Sequence, residues 1–205
     1  MKFIKFLCLF TSVITTETDF VIEKEFESVT CGSQIKLTHQ QTGYKLHSHD
    51  VKYGSGSGQQ SVTGFSKGND PNSYFVVFGE LNQDCERGKI IECGSTIRLK
   101  HQRTQKFLHS HLIHSPLSQQ QEVSAHDSLD SGDNWLVKCN TKTWKREKVI
   151  NLQHVDTKVF LSASGRYAFG NPINGQLEVC GRKYAGNDEQ WIAQEGIYLT
   201  ALETQ

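Results

Sequence analysis

Residues 29–50, VTCGSQIKLTHQQTGYKLHSHD, occur in three copies along the chain. They return at residues 91–112 as IECGSTIRLKHQRTQKFLHSHL, and at residues 148–164 in a weaker form, KVINLQHVDTKVFLSAS. Each copy places an isoleucine, two leucines and a histidine at the same relative positions. Self-similarity of this kind indicates a repeat architecture, in which each unit buries its apolar face against its neighbours.

Within each copy the apolar residues recur with a period of two. Ile35, Leu37 and His39 share one face of an extended segment, and polar residues lie between them. This alternation predicts a half-buried antiparallel strand. Thr42-Gly43 and Thr104-Gln105 follow where a short hairpin turn is needed. The pattern therefore predicts a strand, a turn and a second strand at the start of each repeat.

Each copy continues with a Gln-rich segment and ends with an aromatic segment. The six segments are QQSV (59–62), QQEV (120–123), GQLEV (175–179), SYFVVFG (73–79), NWLVKC (134–139) and QWIAQEG (190–196). Four short strands in three copies predict an all-β protein of twelve strands with pseudo-threefold symmetry, the β-trefoil. Closure of its barrel leaves few exposed sheet edges. A three-bladed propeller would be too small, and a sandwich would not explain the threefold recurrence.

The composition is that of a globular domain without a dominant charge. Of 205 residues 36% are hydrophobic, and 22 Lys and Arg balance 22 Asp and Glu. Because nucleic acids and anionic membranes are bound through basic surfaces, both partner classes are disfavoured. We expect the β-trefoil to span residues 28–199. Its expected repeats and the short C-terminal tail cover residues 28–85, 90–139, 145–199 and 200–205.

The first residues, MKFIKFLCLFTSVITT, have the pattern of a secretory signal peptide. Lys2 and Lys5 give a basic start, and the apolar run over residues 6–14 is too short to span a bilayer. We expect the signal to cover residues 1–17; the alternative is a buried N-terminal strand. No other window is apolar for long enough to predict a transmembrane helix. The mature product is therefore expected in the endoplasmic reticulum lumen or outside the cell.

Five cysteines follow the signal segment: Cys31, Cys85, Cys93, Cys139 and Cys180. An oxidising compartment makes disulfides plausible, and the cysteine spacing fits no zinc pattern. In a trefoil the first and last strands of a repeat are neighbours, so Cys31–Cys85 and Cys93–Cys139 are the expected pairs. Four cysteines nevertheless allow three connectivities. Cys180 is left over as a buried, reactive or intermolecular thiol.

Two H-x-H pairs are the most suggestive polar feature. His47 and His49, and equally His109 and His111, lie two apart on a strand, so each pair points to one face, the outer or loop-facing side. Such a pair chelates Zn²⁺ when a third ligand converges, but the third repeat has serines at these places. We therefore predict no metal and treat the pairs as loop-fixing or binding residues. Three more histidines share the face of the core aliphatics and are expected to be half-buried and paired: His39, His101 and His154.

The aromatic residues divide into core and surface candidates. Trp135 and Trp191 lie in the last strands of their repeats, with Tyr74 at the matching place, and core packing is expected for them. Tyr53 and Trp144 occupy loop contexts, so they are the better candidates to stack on a sugar.

No residue grouping typical of an enzyme is recognisable in the sequence. There is no Ser-His-Asp or Cys-His arrangement with a familiar local context, and there is no nucleotide signature. The run GSGSG (54–58) lacks the Lys-Ser/Thr ending and the following helix of a phosphate-binding loop. We therefore predict a non-catalytic protein without a cofactor; the enzymatic alternative is a zinc hydrolase that uses the H-x-H pairs.

Five segments carry a resemblance to a known family: LHSHD (46–50), YGSGSGQQSVTG (53–64), NSYFVVFG (72–79), SPLS…QEVSA (115–125) and EGIYL (195–199). With them the sequence resembles the stromal cell-derived factor 2 family of MIR-repeat proteins, from about Val29 to Leu199. The resemblance implies a lone β-trefoil of three MIR repeats in the endoplasmic reticulum. It also implies association with a lumenal J-domain protein and its Hsp70 chaperone, and a link to O-mannosylation and the quality control of non-native chains.

The resemblance also sets limits on what is expected. The same repeats occur as lumenal inserts in protein O-mannosyltransferases, where catalysis lies in the membrane part, and no such segments are found in this sequence. Family members often end in a retention tetrapeptide of the HDEL or KDEL type, whereas this chain ends ALETQ (201–205). Retention through a partner, or secretion, is therefore expected. The expected function is a chaperone-associated binding module; the alternative is a lectin-like module for O-mannosyl or related glycans.

Overall fold

A computed structural model describes residues 21–201 of the chain. The predicted signal segment, residues 1–17, lies outside the described residues, as do residues 202–205 of the predicted tail. The described part consists of twelve strands and four short 3-10 turns. No helix in this part is long and apolar enough to cross a membrane. The predicted all-β class and the predicted number of strands are confirmed.

Each repeat contributes four strands, numbered here in chain order. The first repeat has β1 (Gln34–His39), β2 (Lys45–Lys52), β3 (Gln60–Phe65) and β4 (Phe75–Gly79). The second has β5 (Thr96–His101), β6 (Phe107–His114), β7 (Gln121–His126) and β8 (Trp135–Lys138). The third has β9 (Val149–His154), β10 (Phe160–Ala168), β11 (Leu177–Arg182) and β12 (Trp191–Ile197). The 3-10 turns are Lys24–Phe26, Pro71–Ser73, Ser131–Asp133 and Asn187–Glu189.

The first and last strands of the three repeats form a closed, six-stranded barrel. β1 pairs with β4 and β12, β5 pairs with β4 and β8, and β9 pairs with β8 and β12, always antiparallel. Because the last strand of each repeat also pairs with the first strand of the next, the ring closes without a free edge. The repeats therefore share one barrel and do not form separate units.

The remaining strands form three hairpins that cover one end of the barrel: β2–β3, β6–β7 and β10–β11. The second strands of these hairpins pair with one another around the pseudo-threefold axis, β3 with β7, β7 with β11 and β11 with β3. A six-stranded barrel with a triangular cap of three hairpins is the β-trefoil. The predicted fold is confirmed.

Three isoleucines and three aromatic rings from equivalent positions fill the barrel. Ile35 stands opposite Phe75, Ile97 opposite Trp135, and Ile150 opposite Trp191, and all six residues are at most 1% exposed. The predicted match of Tyr74 with the two tryptophans was wrong by one residue, and in a strand one residue turns the side chain to the other face. The Tyr74 ring instead packs against Lys36, whose Nζ lies 4.6 Å from the ring centroid.

One buried histidine in each repeat links that repeat to its neighbour: His39, His101 and His154, all at most 1% exposed. Nε2 of each imidazole donates to a backbone carbonyl oxygen 2.9–3.0 Å away. That oxygen belongs to the 3-10 turn of the preceding repeat around the barrel. Nδ1 lies 2.8–2.9 Å from the hydroxyl of a threonine in the turn of its own repeat. These imidazoles were predicted to be half-buried; they are fully buried, with both nitrogens satisfied.

Both predicted disulfides are present. Cys31 pairs with Cys85, and Cys93 pairs with Cys139, with Cα atoms 6.0 Å and 5.5 Å apart. Each bond joins the segment before the first strand of a repeat to the segment after its last strand. Among the described residues Cys180 is unpaired and buried, and burial raises the pKa of its thiol to about 12. Of the three roles left open for Cys180, the structure therefore favours an inert core residue.

We expect the free energy of unfolding to fall as the pH is lowered below about 6.5. Burial lowers the pKa of His39 and His101 below the ordinary histidine value, so the folded state binds protons less readily than the unfolded chain. Unfolding then takes up protons, and each such imidazole adds a slope of up to about 1.4 kcal/mol per pH unit below that value. Urea unfolding at pH 7.5, 6.5 and 5.5 measures this change in the free energy of unfolding.

The variant His101→Gln provides the control for this pH dependence, because glutamine offers hydrogen-bonding groups and does not titrate. It should lose stability at pH 7.5 and should show a shallower pH slope than the natural chain. An unfolding free energy that stays constant between pH 7.5 and 5.5 in the natural chain would contradict the proposed role of the buried imidazoles.

Candidate functional site

A polar contact recurs in each repeat between the first hairpin strand and the 3-10 turn that precedes the last strand. The three contacts are His47 Nδ1 to Ser73 Oγ (3.4 Å), His109 Nδ1 to Asp133 Oδ1 (3.0 Å) and Ser162 Oγ to Glu189 Oε1 (2.7 Å). All six residues are nearly inaccessible to solvent. The three repeats therefore place different pairs of polar side chains at geometrically equivalent positions. These three positions form the candidate site.

Local sequence places the 3-10 turns against the hairpin strands. Asp70 and Asp130 precede their turns, and each accepts a hydrogen bond from the backbone N–H two residues on, at 2.6 Å and 2.8 Å. In the third turn the Glu189 carboxylate accepts from the N–H of Gly186 at 2.6 Å. These caps fix the turn so that its last residue faces the hairpin. In the second repeat the approach is so close that a Cβ on Gly132 would lie 2.4 Å from Cε1 of His109.

The two histidines of the first H-x-H pair make contacts within the fold. His47 is only 2% exposed, and its ring packs against Phe65 with the centroids 4.8 Å apart. Burial lowers its pKa to about 4. His49 is half-buried, with Nε2 3.2 Å from Oε1 of Gln176 and Nδ1 accepting from the N–H of Val51. The pair was predicted to face outward or toward a loop, and for His47 the loop-facing position is confirmed, because the 3-10 turn and β3 cover its ring.

The second H-x-H pair forms a polar chain that leads from the interior to the surface. His109 is 3% exposed and faces the 3-10 turn, so of the outer and loop-facing positions predicted for it the loop-facing one is confirmed. Its Nε2 lies 2.9 Å from Nδ1 of the half-buried His111, and its Nδ1 lies 3.0 Å from Asp133 and 3.5 Å from Asp130. Burial lowers the pKa of His111. The two carboxylates were not recognised from the sequence, since they lie beyond the next strand and turn.

The third repeat has a polar depression that the sequence analysis missed. Its lining includes Ser162, Ser164, Tyr167, Glu178 and Arg182. Two small serines stand where the other repeats have histidines, so less of the space beside β10 is filled. The Tyr167 ring at its rim is 40% exposed. The loss of both histidines in one copy was the available sequence signal for this depression.

Tyr53 and Trp144, the two residues expected to stack on a sugar, are both buried. Tyr53 is 6% exposed, and its hydroxyl shares its single proton between the carbonyl oxygens of Val62 (2.9 Å) and Val123 (3.0 Å), on β3 and β7 of the cap. Burial raises the pKa of this phenol. Trp144 is fully buried in the hydrophobic core. The prediction for both residues is corrected, because neither ring presents a face to a ligand.

Two buried carboxylates in the cap hold neighbouring hairpin loops. Glu178 accepts hydrogen bonds from the backbone N–H groups of Leu117 (2.7 Å) and Ser118 (3.0 Å). At the equivalent position Glu122 accepts from the N–H of Ser57 at 3.2 Å, and the Ser57 hydroxyl donates to its other oxygen. Both oxygens of each acid accept a hydrogen bond and both side chains are buried, and this leaves them poorly suited to proton transfer.

Several large apolar side chains are exposed on this scaffold. Leu112, which directly follows the second H-x-H pair, is 85% exposed. Together with Ile113, Val159 and Lys183 it lines an open groove beside β6. The first repeat has Asp50 at the position equivalent to Leu112. The exposed leucine is therefore particular to the second repeat and is not required by the fold.

No protein-family model matches the chain. Stromal cell-derived factor 2-like protein 1 of Homo sapiens is 48% identical over 176 residues, which cover 84% of this chain and 79% of that protein. The crystal structure of the SDF2-like protein from Arabidopsis thaliana matches with a TM-score of 0.83 and 44% identity, over 86% of this chain and 99% of that one. The S. cerevisiae protein O-mannosyltransferase Pmt1–Pmt2 complex matches with a TM-score of 0.75, 24% identity and coverage of 89% and 27%, a likeness of fold alone.

We expect Tyr53→Phe to lower the free energy of unfolding by about 1–2 kcal/mol, because the one donor shared by two buried carbonyl oxygens is lost. Tyr184→Phe is the control, since that side chain is 75% exposed and should change stability by less than about 0.5 kcal/mol. Urea unfolding of the oxidised protein measures both variants. Equal stability of Tyr53→Phe and the natural chain would contradict the structural role of the hydroxyl.

Proposed function

The chain belongs to the stromal cell-derived factor 2 family, and from this premise we propose that it is a non-catalytic binding module of chaperone and quality-control complexes in the endoplasmic reticulum. The observation that carries the proposal is the exposure of Leu112 in a groove on a closed, rigid barrel. Binding often concentrates at surface segments that a rigid scaffold positions. The two disulfides support an oxidising compartment.

The engagement of the polar residues supports a non-catalytic role. His39, His101 and His154 use both ring nitrogens to join repeats, and Glu122 and Glu178 are saturated by hairpin groups. A general acid or base needs a free hydrogen-bonding position toward a substrate. A nucleophile needs an activated form, and burial keeps the Cys180 thiol protonated.

The groove beside β6 supports contact with a protein partner. Leu112 contributes almost nothing to the stability of the isolated fold, because 85% of it remains exposed. Burying a leucine side chain against a partner contributes about 1.5–3 kcal/mol. We assign this groove to the contact with the lumenal J-domain protein and its Hsp70, or with the apolar segments of non-native and O-mannosylated client chains.

We expect Leu112→Asp to reduce the recovery of the lumenal J-domain protein and Hsp70 at least tenfold in a pull-down from endoplasmic reticulum extract. The first repeat carries Asp50 at the same place, so the backbone accepts this residue and the melting temperature should not change. Leu129→Asp is the control, because Leu129 is 61% exposed and is not among the groove residues. Undiminished recovery by Leu112→Asp, or no recovery by the natural chain, would count against the proposal.

A second candidate function is lectin-like recognition of O-mannosyl or related glycans. The specific observation in its favour is the depression of the third repeat, where the 40% exposed Tyr167 stands beside Ser164, Arg166 and Arg182. An aromatic face beside hydrogen-bonding side chains suits a sugar, which has an apolar face and hydroxyl edges. This site replaces Tyr53 and Trp144 as the candidate for sugar stacking.

We expect Tyr167→Ala to weaken any glycan signal at least tenfold on an array that includes O-mannosyl glycans, because the stacking face is removed. Tyr184→Ala is the control, since Tyr184 is 75% exposed and does not line the depression. The array should be probed with fully oxidised protein. If the natural chain gives no glycan signal, the lectin-like alternative is excluded.

A further inference from the structure

We propose that His109, Asp130 and Asp133 of the second repeat form a binding site for Zn²⁺. One donor atom from each residue lies within 4.8 Å of the other two. Nδ1 of His109 is 3.0 Å from Oδ1 of Asp133 and 3.5 Å from Oδ1 of Asp130. This site goes beyond the proposed partner-binding function and does not depend on it.

The separations suit a tetrahedral zinc ion. Zinc bonds to imidazole nitrogen and carboxylate oxygen of about 2.0–2.2 Å place neighbouring ligand atoms about 3.3–3.5 Å apart. The two distances from His109, 3.0 Å and 3.5 Å, lie near that value, and the carboxylate oxygens lie within 4.8 Å of each other, so a bound cation would draw the two acids together. One imidazole with two carboxylates favours Zn²⁺ over Mg²⁺ and Ca²⁺, which take oxygen ligands almost exclusively. Three protein ligands leave the fourth position to water or to a partner group.

The charge balance at Asp133 points to a cation. Asp133 is fully buried, and its Oδ2 atom has no hydrogen-bond partner in the described part of the chain. Its Oδ1 atom hydrogen-bonds with the His109 ring. The Asp133 charge also offsets part of the lowering of the Arg98 pKa by burial, but among the described residues this guanidinium forms no ion pair with Asp133. A buried carboxylate with one unsatisfied oxygen costs several kcal/mol unless a positive charge compensates it. A zinc ion held between Asp133 and Asp130 supplies that charge.

The other two repeats show that the fold does not require this arrangement. At the position of Asp133 the first repeat has Ser73, which carries no charge. The third has Glu189, whose two oxygens accept hydrogen bonds from Ser162 and Gly186, and whose Oε1 lies 3.9 Å from Arg182. Only the second repeat buries a carboxylate with an unpartnered oxygen among the residues that the structure describes.

Neighbouring groups hold the ligands in place and leave the site accessible. The N–H of Gly132 donates to Oδ1 of Asp130 at 2.8 Å. His111 Nδ1, 2.9 Å from His109 Nε2, accepts from it in the tautomer that directs the lone pair of His109 Nδ1 toward the carboxylates. The Asp130 side chain is 52% exposed, and His109 and Asp130 line an open groove that also includes Ser131, whereas Asp133 is fully buried. Zn²⁺ therefore has a path from solvent.

The test is a titration of ZnCl₂ into tag-free, oxidised protein that has been treated with chelator and dialysed, followed by isothermal calorimetry. We expect one Zn²⁺ per chain. Asp133→Asn and His109→Gln should weaken binding at least tenfold, because each removes a ligand atom or its charge. His49→Gln, in the equivalent pair of the first repeat, should bind as the natural chain does. CaCl₂ and MgCl₂ at the same concentration should not displace the ion.

A second variant and a second measurement keep the test valid if a buried substitution disturbs folding. Asp130→Asn changes an exposed residue and keeps a good capping side chain, yet it should also weaken Zn²⁺ binding at least tenfold. In chelator the melting temperature of Asp133→Asn should equal or exceed that of the natural chain, because a buried charge with one unsatisfied oxygen is removed. Adding Zn²⁺ should raise the melting temperature of the natural chain only.

Three outcomes would overturn the proposal. The first is the absence of stoichiometric Zn²⁺ binding by the natural chain. The second is natural affinity in both Asp130→Asn and Asp133→Asn. The third is an equal loss of affinity in His49→Gln and His109→Gln, which would place the ion outside the second repeat.

Discussion

The hydrogen bonds of three buried imidazoles connect the repeats and position the 3-10 turns that face the hairpins. His39, His101 and His154 each bury two polar ring nitrogens, and a buried polar atom must be satisfied. One nitrogen is satisfied by a threonine of the same repeat, and the other by a carbonyl oxygen of the preceding 3-10 turn. A single repeat cannot satisfy its own histidine, so the three units depend on one another. The turns anchored in this way end in Ser73, Asp133 and Glu189, the residues of the candidate site.

Comparison of the three copies distinguishes the residues that the fold requires from the residues that are available for binding. The copies agree where the barrel needs them to, in the isoleucines, the opposing aromatic rings and the linking histidines. They disagree at matched positions that pack against the hairpins or face solvent, such as Leu112 against Asp50 and Ser162 against His109. Because the backbone geometry at these positions is shared, each copy shows what the fold tolerates in the others. Residues that differ among the copies at these positions can therefore bind a ligand or partner without disturbing the fold.

The sequence contained most of the architecture and little of the site. The threefold recurrence with a period of two determined the strands, and the strand order of a trefoil made Cys31–Cys85 and Cys93–Cys139 neighbours. The burial of Tyr53 was not predictable, because its loop context does not reveal that the hairpins pair into a cap above it. The register error at Tyr74 has the same origin. Two adjacent aromatic residues fit the same pattern, and only the pairing with β1 selects Phe75.

The Asp133 carboxylate was not predictable as a ligand, because it lies 24 residues after His109 and beyond the next strand. The serines of the third repeat exclude a threefold site, yet they say nothing about a site in one repeat that takes its acids from a 3-10 turn. That turn approaches the hairpin in every repeat. An acidic residue at the end of the turn is therefore enough to supply a further metal ligand. Ser73 shows that a neutral residue meets the structural need at this position, and Glu189 shows that an acid there finds donors for both oxygens. Folding alone therefore gives no reason for the half-satisfied charge of Asp133, and its explanation belongs to what the second repeat binds.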